Sequence, residues 1–224
     1  MIKKLLAPIA LLFVLGSCGD SPEIFLPNYS QIDLVIENGA VLDGLGGQPV
    51  DADVVVVDDE IVFVGATSFS ADDFEKRIVR RVDAGGKTVA PGFIDLHSHG
   101  DPLETPEFEN FLAMGVTTIT LGQDGSSPDV DSLDAWMKQV SEKGVGTNLA
   151  MFVGHGTLRN AAGIGMAATP EPEDLARMLE ALDVTLDYTF GMSTGLEYNP
   201  GLNADVAELR SLAKVVGAND RMIM

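Results

Sequence analysis

Residues 91–101 read "PGFIDLHSHGD", a short apolar run that passes into two histidines one residue apart. Alternate side chains of an extended strand point to the same face. Phe93, Asp95, His97 and His99 therefore share one face, and Ile94, Leu96 and Ser98 take the other. Two neutral imidazoles side by side at a strand end can hold one metal ion, and zinc accepts such ligands. The same pattern also suits two ordinary residues that close a strand. The sequence on either side has to separate the two readings.

The rhythm of the chain changes at Pro91. From residue 32 to 90 it reads as β structure. "IDLVIENGAVLDG" alternates and carries Asn38-Gly39, a strong hairpin dipeptide. Two β-branched runs flank the acidic turn Asp58-Asp59-Glu60, and a further strand pair is expected around Gly85-Gly86. We read residues 32–90 as a small β-sandwich segment. After Pro91, strand-like runs alternate with helical ones, which implies a parallel sheet with crossover helices. Thr105 and Pro106 open the first helical run as N-cap and first helical residue, with Gly115 as its stop. Gly144 closes the second. The third opens with Thr169-Pro170 and acids in its first turn, and the fourth is expected between Asn203 and Gly217. "RMIM", Arg221 to Met224, begins a fifth strand. Such a run builds either an open doubly wound sheet or a barrel. No Gly-rich phosphate loop joins a strand to a helix.

Composition limits the partners. Of 224 residues, 34 are acidic and 14 basic, giving a net charge of -20. Nucleic acid is not expected, because phosphate binding needs a basic surface. The acids are scattered, as on a solvated surface. The N-terminus carries a basic "MIKK", an apolar run too short to span a bilayer comfortably, and "LGSC" ending at Cys18. This resembles a bacterial lipobox. It implies a lipoprotein signal peptide in residues 1–17, lipidation of Cys18, and a tether over residues 18–31. The expected location is the bacterial cell envelope, with membrane contact only through that anchor. Cys18 is the single cysteine, so no disulfide is available.

In a barrel the chemistry sits at the C-terminal ends of strands, and the unusual residues do sit there. His97 and His99 follow the first strand, Gln123-Asp124 the second, His155 the third and Glu197-Tyr198 the fourth. A β segment ending in "VAPGFIDLHSHGD" resembles the amidohydrolase superfamily, whose barrel opens with a His-x-His metal motif. "GVTTITLGQDGSSP", "FVGHGTLR" and "GMSTGLEYNPG" resemble its N-acyl-D-amino-acid deacylase (D-aminoacylase) branch, in the same order. The match runs from about Ile32 to Met224.

The resemblance implies zinc, one or two ions, and hydrolysis of an N-acyl-D-amino acid to a D-amino acid and a carboxylate. His97 and His99 become metal ligands. A residue after the second strand, often cysteine in the family, completes or bridges the site. Here Asp124 stands there, either as a ligand or as an Asp-Gly turn residue. His155 and Arg159 are expected to line the substrate site, and Tyr198 to hold the substrate carboxylate. Asp95 is expected to pack or to hydrogen-bond behind the ligands. A full barrel has eight units and ~250 residues, whereas residues 91–224 carry about four. The family's further metal histidines and its catalytic aspartate come from later strands, which are expected beyond Met224, and no residue here matches them. The sequence thus reads as α/β, the N-terminal half of a TIM-type (β/α) barrel of the amidohydrolase kind, and as the N-terminal portion of a deacylase that is inactive alone. The alternatives are a hydantoinase, dihydroorotase or isoaspartyl dipeptidase relative, or a non-catalytic truncated lipoprotein.

Overall fold

The computed structural model describes residues 29–66 and 76–224. The signal peptide, Cys18 and the tether up to residue 28 lie outside the described residues. Among the described residues no helix is long and apolar enough to cross a membrane. The chain divides into two compact units between Pro91 and Gly92.

The first unit is one mixed sheet of five strands: β1 (Ile32–Val41), β2 (Val50–Val57), β3 (Glu60–Gly65), β4 (Ile78–Asp83) and β5 (Thr88–Val89). β1 pairs antiparallel with β2, and β2 with β3 across the Asp58-Asp59 turn. The other edge of β1 carries β4 and β5 in succession, both parallel to it. Two expectations change here. Asn38-Gly39 is not a hairpin turn but a bulge inside β1, where Asn38 takes φ 57°. Gly85-Gly86 does not join two paired strands; it carries the chain past that bulge. The Gly86 amide donates to the Asn38 carbonyl at 2.8 Å, and Asn38 Nδ2 donates to Asp83 at 3.1 Å. An Asn-Gly dipeptide supplies a left-handed residue, and a bulge uses that as readily as a turn. The small core comprises Ile32, Val35 and Val55, with Tyr29, Val57, Val62, Phe63 and Ile78 packed on it. The described residues form a single sheet, so the expected sandwich is not seen among them.

The second unit is a mixed α/β fold with a curled, parallel half-barrel sheet. Its strands are β6 (Phe93–Asp95), β7 (Val116–Leu121), β8 (Asn148–Gly154), β9 (Gly191–Ser193) and β10 (Met222–Ile223). They lie side by side in chain order, every pairing parallel. A doubly wound sheet would reverse its order at a switch point, and this one does not. The helices are α1 (Glu109–Ala113), α2 (Leu133–Lys143), α3 (His155–Ala161), α4 (Pro172–Thr185) and α5 (Val206–Ala218). β8 is buried from Ala150 to Gly154 without alternation, because helices cover one face and the sheet curls over the other. Ile119, Met151, Val153 and Met192 from the strands meet Leu158, Met178, Leu182, Leu212 and Val216 from the helices.

Several helix starts move. α1 begins three residues after Pro106, and the Thr105 hydroxyl donates to the Asp101 carbonyl instead of capping. Pro172, not Pro170, takes the first position of α4. Asp205 caps α5 by accepting from the Glu208 amide at 2.8 Å, and Asn203 sits in a preceding 3₁₀ turn, Gly201–Asn203. The runs before α4 and α5 each offer two prolines or two capping residues a few positions apart, and tertiary packing selects between them. α1 starts after Phe108, which takes φ 47° and makes no side-chain cap. α3 has no counterpart in the sequence reading; its seven residues are too few to show a periodicity.

Candidate metal centre

His97 and His99 stand just past β6, and Asp124 stands in the loop after β7. His97 Nε2 lies 3.4 Å from Asp124 Oδ1, and His99 Nε2 lies 3.1 Å from Asp124 Oδ2. One donor atom from each of the three falls within 4.8 Å of the others. Zinc ligands ~2.0–2.2 Å from a tetrahedral ion sit about 3.4 Å from one another. The spacing and the chemistry of this set, two imidazoles and a carboxylate, both fit a divalent metal. More than half of each imidazole is exposed, so the donors are open.

Backbone conformation gathers these donors. Asp95 accepts from the His97 amide at 3.0 Å, which turns the chain at the strand end; Asp95 itself is not among the gathered donors. Asp124 takes φ 56°, a conformation uncommon outside glycine but tolerated by aspartate. Buried Gln123 ties the two loops together, since its Nε2 reaches the Leu96 carbonyl at 3.1 Å and Thr120 Oγ1 at 2.8 Å. From β9, Ser193 Oγ accepts from the Gly125 amide at 3.1 Å and donates to the Gly122 carbonyl. The Asp124 loop is thus held from the end of β6 on one side and, across β8, from β9 on the other.

Asp124 also borders two clefts. The larger, about 350 Å³, has Thr157, Asn160, Tyr198 and Asn199 on its other sides. The smaller, about 290 Å³, is shared with His99, Asp101 and Trp136. Tyr198 is 55% exposed and lines the larger cleft, where a ligand can reach it. Glu197 is exposed and borders neither cleft.

His155 and Arg159 are placed differently from expectation. Both are wholly buried and line neither cleft. Arg159 Nη1 donates to both carboxylate oxygens of Glu208, at 2.8 and 2.6 Å. Its Nε donates to the Gly165 carbonyl at 3.1 Å and its Nη2 to that of Ala167. His155 Nε2 lies 2.7 Å from Glu208 Oε1. Burial holds the His155 pKa below its usual value, against the opposing pull of Glu208. The neutral ring therefore donates from Nε2 to the carboxylate, which leaves Nδ1 as a lone pair without a partner. Direct substrate contact by the Arg159 guanidinium is incompatible with this placement. Glu208 was not singled out in the sequence. Its signal is its register: Glu208, Leu212 and Val216 form the buried stripe of α5, and an acid on an apolar stripe needs a buried partner.

Met224 serves the sheet and not the centre. Its amide donates to the Met192 carbonyl at 3.0 Å, which extends the β9–β10 pairing by one residue. Its carbonyl accepts from the Thr194 amide at 2.7 Å and from the Thr194 hydroxyl at 3.1 Å. Met224 lines neither cleft and carries no acid–base group. Besides Asp124 and Asp101, the residues bordering the two clefts include no carboxylate, so no described residue is assigned the role of catalytic acid or base.

No protein-family model matches the chain. It is 36% identical over 211 residues to an N-acyl-D-glutamate deacylase of Alcaligenes xylosoxydans xylosoxydans, covering 84% of this chain and 42% of that protein. An N-acyl-D-glutamate deacylase from Bordetella bronchiseptica, solved with zinc and a phosphonate mimic of the tetrahedral intermediate, superposes with a TM-score of 0.77 at 31% identity. That match covers 86% of this chain and 44% of the other. A D-aminoacylase described as having a binuclear metal centre superposes with a TM-score of 0.76 at 28% identity, covering 86% and 44%. The chain thus spans less than half the length of the relatives it matches.

Proposed function

From a chain whose homologues are the D-aminoacylase branch of the amidohydrolases, we infer a metal-dependent hydrolase that cleaves the amide bond of N-acyl-D-amino acids. The observation that carries this reading is the convergence of His97, His99 and Asp124 on one point at the C-terminal end of a parallel half-barrel. These three residues hold the metal, zinc being the ion found with the Bordetella relative. When bound, a divalent ion supplies a Lewis acid and lowers the pKa of water.

This chain's own residues then have defined work. The two oxygens of Asp124 face one imidazole each, so the carboxylate offers a ligand to one ion or a bridge between two. Of the two clefts, the smaller is bordered by two of the three donors, His99 and Asp124, and through Asp124 the centre also adjoins the larger one. Tyr198 donates its hydroxyl to the substrate carboxylate from the opposite side of that cleft. The products are a D-amino acid and a carboxylic acid. Three donors leave coordination positions for groups outside the described residues, so the 224 residues alone are expected to bind metal without turnover. Lipidation of Cys18, with anchoring in the bacterial envelope, belongs to the same proposal; it rests on the "LGSC" motif and is tested by fatty-acid labelling of wild type against Cys18→Ala.

Zinc titration of the purified chain tests the centre. We expect binding that His97→Ala and His99→Ala each weaken more than about 100-fold, beyond the loss that follows from removing an outer-shell partner. Assay of D-amino acid release, with the 224 residues complemented by the C-terminal part of a homologous deacylase, tests the reaction. Cleavage of N-acetyl-L-amino acids or cyclic amides in preference to N-acetyl-D-amino acids would overturn the substrate class.

A further inference from the structure

We propose that His155 is a positioning residue for the metal centre: anchored to Glu208, it sets the first turn of α3, which holds both the Asp124 loop and the Tyr198 loop. The inference rests on the metal-centre reading above.

The chain of contacts is continuous. α3 begins at His155. The next two amides, of Gly156 and Thr157, both donate to the Gly125 carbonyl, at 2.8 and 3.3 Å. Gly125 directly follows Asp124. Thr157 Oγ1 accepts from the Ser127 amide at 2.9 Å and donates to the Ser127 carbonyl at 3.1 Å. Ser127 Oγ accepts from the Gly154 amide at 3.0 Å. The first turn of α3 thus clamps residues 125–127 from below.

The same turn supports the other wall of the cleft. A Cβ on Gly156 would lie 3.1 Å from Pro200 Cδ, and a Cβ on Gly201 would lie 3.6 Å from His155 Nδ1. The unpartnered nitrogen therefore faces the end of the Tyr198 loop. The two loops also touch directly, because a Cβ on Gly195 would lie 2.0 Å from the Asp124 carbonyl oxygen. Metal loop, tyrosine loop and helix start form one backbone-to-backbone assembly.

What fixes this assembly is polar and fully buried. Arg159, Glu208 and His155 have no exposed side-chain surface. Apolar side chains of the same volume would hold such a core at least as well. What the triad adds is direction: hydrogen bonds fix the His155 ring where dispersion contacts would leave it free to slide. His155 touches neither metal ligands nor substrate and acts through the helix it begins.

Two variants test the proposal. His155→Leu removes the donor to Glu208; His155→Gln keeps an amide donor at the position of Nε2. Zinc affinity is read by titration through the fluorescence of Trp136, the chain's single tryptophan, which lines the smaller cleft with His99 and Asp124. Amide hydrogen exchange is read on the same proteins without metal. We expect His155→Leu to weaken zinc about 10-fold or more and to speed exchange in residues 124–127 and 195–201, with the β7 and β8 amides still protected. His155→Gln is expected to restore both readouts to within about threefold. If His155→Leu does not fold, Thr157→Val carries the test, since it cuts the clamp and leaves the triad whole; it is expected to weaken zinc and open residues 124–127. Unchanged affinity and local exchange in either folded variant would overturn the proposal. If wild type binds no zinc, the metal reading falls, and the metal-free exchange pattern alone decides whether His155 orders the two loops.

Discussion

Two histidine–carboxylate clusters stand in the second unit, and they are built in opposite ways. At the open end of the sheet, His97, His99 and Asp124 meet at 3.1 and 3.4 Å, partly exposed, on loops tied by Asp95, Gln123 and Ser193 rather than by bonds that saturate the three donors themselves. Beneath it, His155, Glu208 and Arg159 meet at 2.6–2.8 Å with no exposed surface, and five of the hydrogen bonds that satisfy them run to one another or to backbone carbonyls. The first cluster has donors to spare and can be loaded. The second is saturated except at one nitrogen, and it can only hold. Histidine beside a carboxylate is therefore no sign of function by itself; exposure and unfilled valence are.

The sharpest way to break this contrast is to remove Glu208. Glu208→Ala leaves the Arg159 guanidinium buried without its carboxylate, which costs about 3–5 kcal/mol. Urea unfolding should show that loss or a chain that no longer folds, whereas His97→Ala should leave the midpoint almost unmoved because its ring is more than half exposed. Equal losses in the two variants would erase the distinction.

A smaller effect is expected where the clusters are joined. Gly195→Ala places a methyl on the Asp124 carbonyl oxygen, an overpacking of the kind that costs about 1–3 kcal/mol. Zinc affinity should fall along with stability, because the atom displaced belongs to a residue of the proposed metal centre. Stability lost with affinity intact would show that the loop absorbs the methyl without moving its carboxylate.

The smallest expected effect is a pH dependence. The His155 pKa is lowered in the folded chain, chiefly by burial, so the unfolded chain takes up this proton first as pH falls. The contribution is fully present above the unfolded value of about 6.5 and declines as pH drops from there towards the lower folded value. Urea midpoints between pH 8 and pH 5 should fall below pH 6.5 in wild type, and the fall should be shallower in His155→Leu. Parallel curves would assign the acid sensitivity to other groups.

The open cluster was legible in the sequence, and the buried one was not. The His-x-His spacing singles out His97 and His99, although both stand past the end of β6 rather than on it. Asp124 stands out by its place after an apolar run, where the sequence reads as ligand or turn residue. Those are local signals. Glu208 lies 49 residues from Arg159 and 53 from His155, and nothing local says which face of α5 meets α3. The spacing Asp205-x-x-Glu208 even invites a capping-box reading; Asp205 does cap the Glu208 amide, but the Glu208 side chain goes inward to Arg159. In the first unit, Asn38-Gly39 was a true left-handed signal with the wrong assignment, because a bulge needs the same backbone as a turn. The parallel pairing of the second sheet followed from strand–helix alternation, down to the strand begun at Arg221–Met224. Its sequential order did not, since alternation suits a doubly wound sheet equally and only the clustering of unusual residues at strand ends favoured the barrel. The exact helix starts were set by tertiary contacts.

The sequential order of β6 to β10 has a consequence for synthesis. Each strand pairs with the one made just before it, at separations between 23 and 39 residues. A chain leaving the ribosome can therefore add one strand and its helix at a time to an edge already in place, with short loops to close at each step. β7 brings Asp124 to the histidines as soon as the second strand docks, and α5, which carries Glu208, arrives only after β9. The cluster proposed to bind metal is laid down early, and the cluster proposed to lock it closes late.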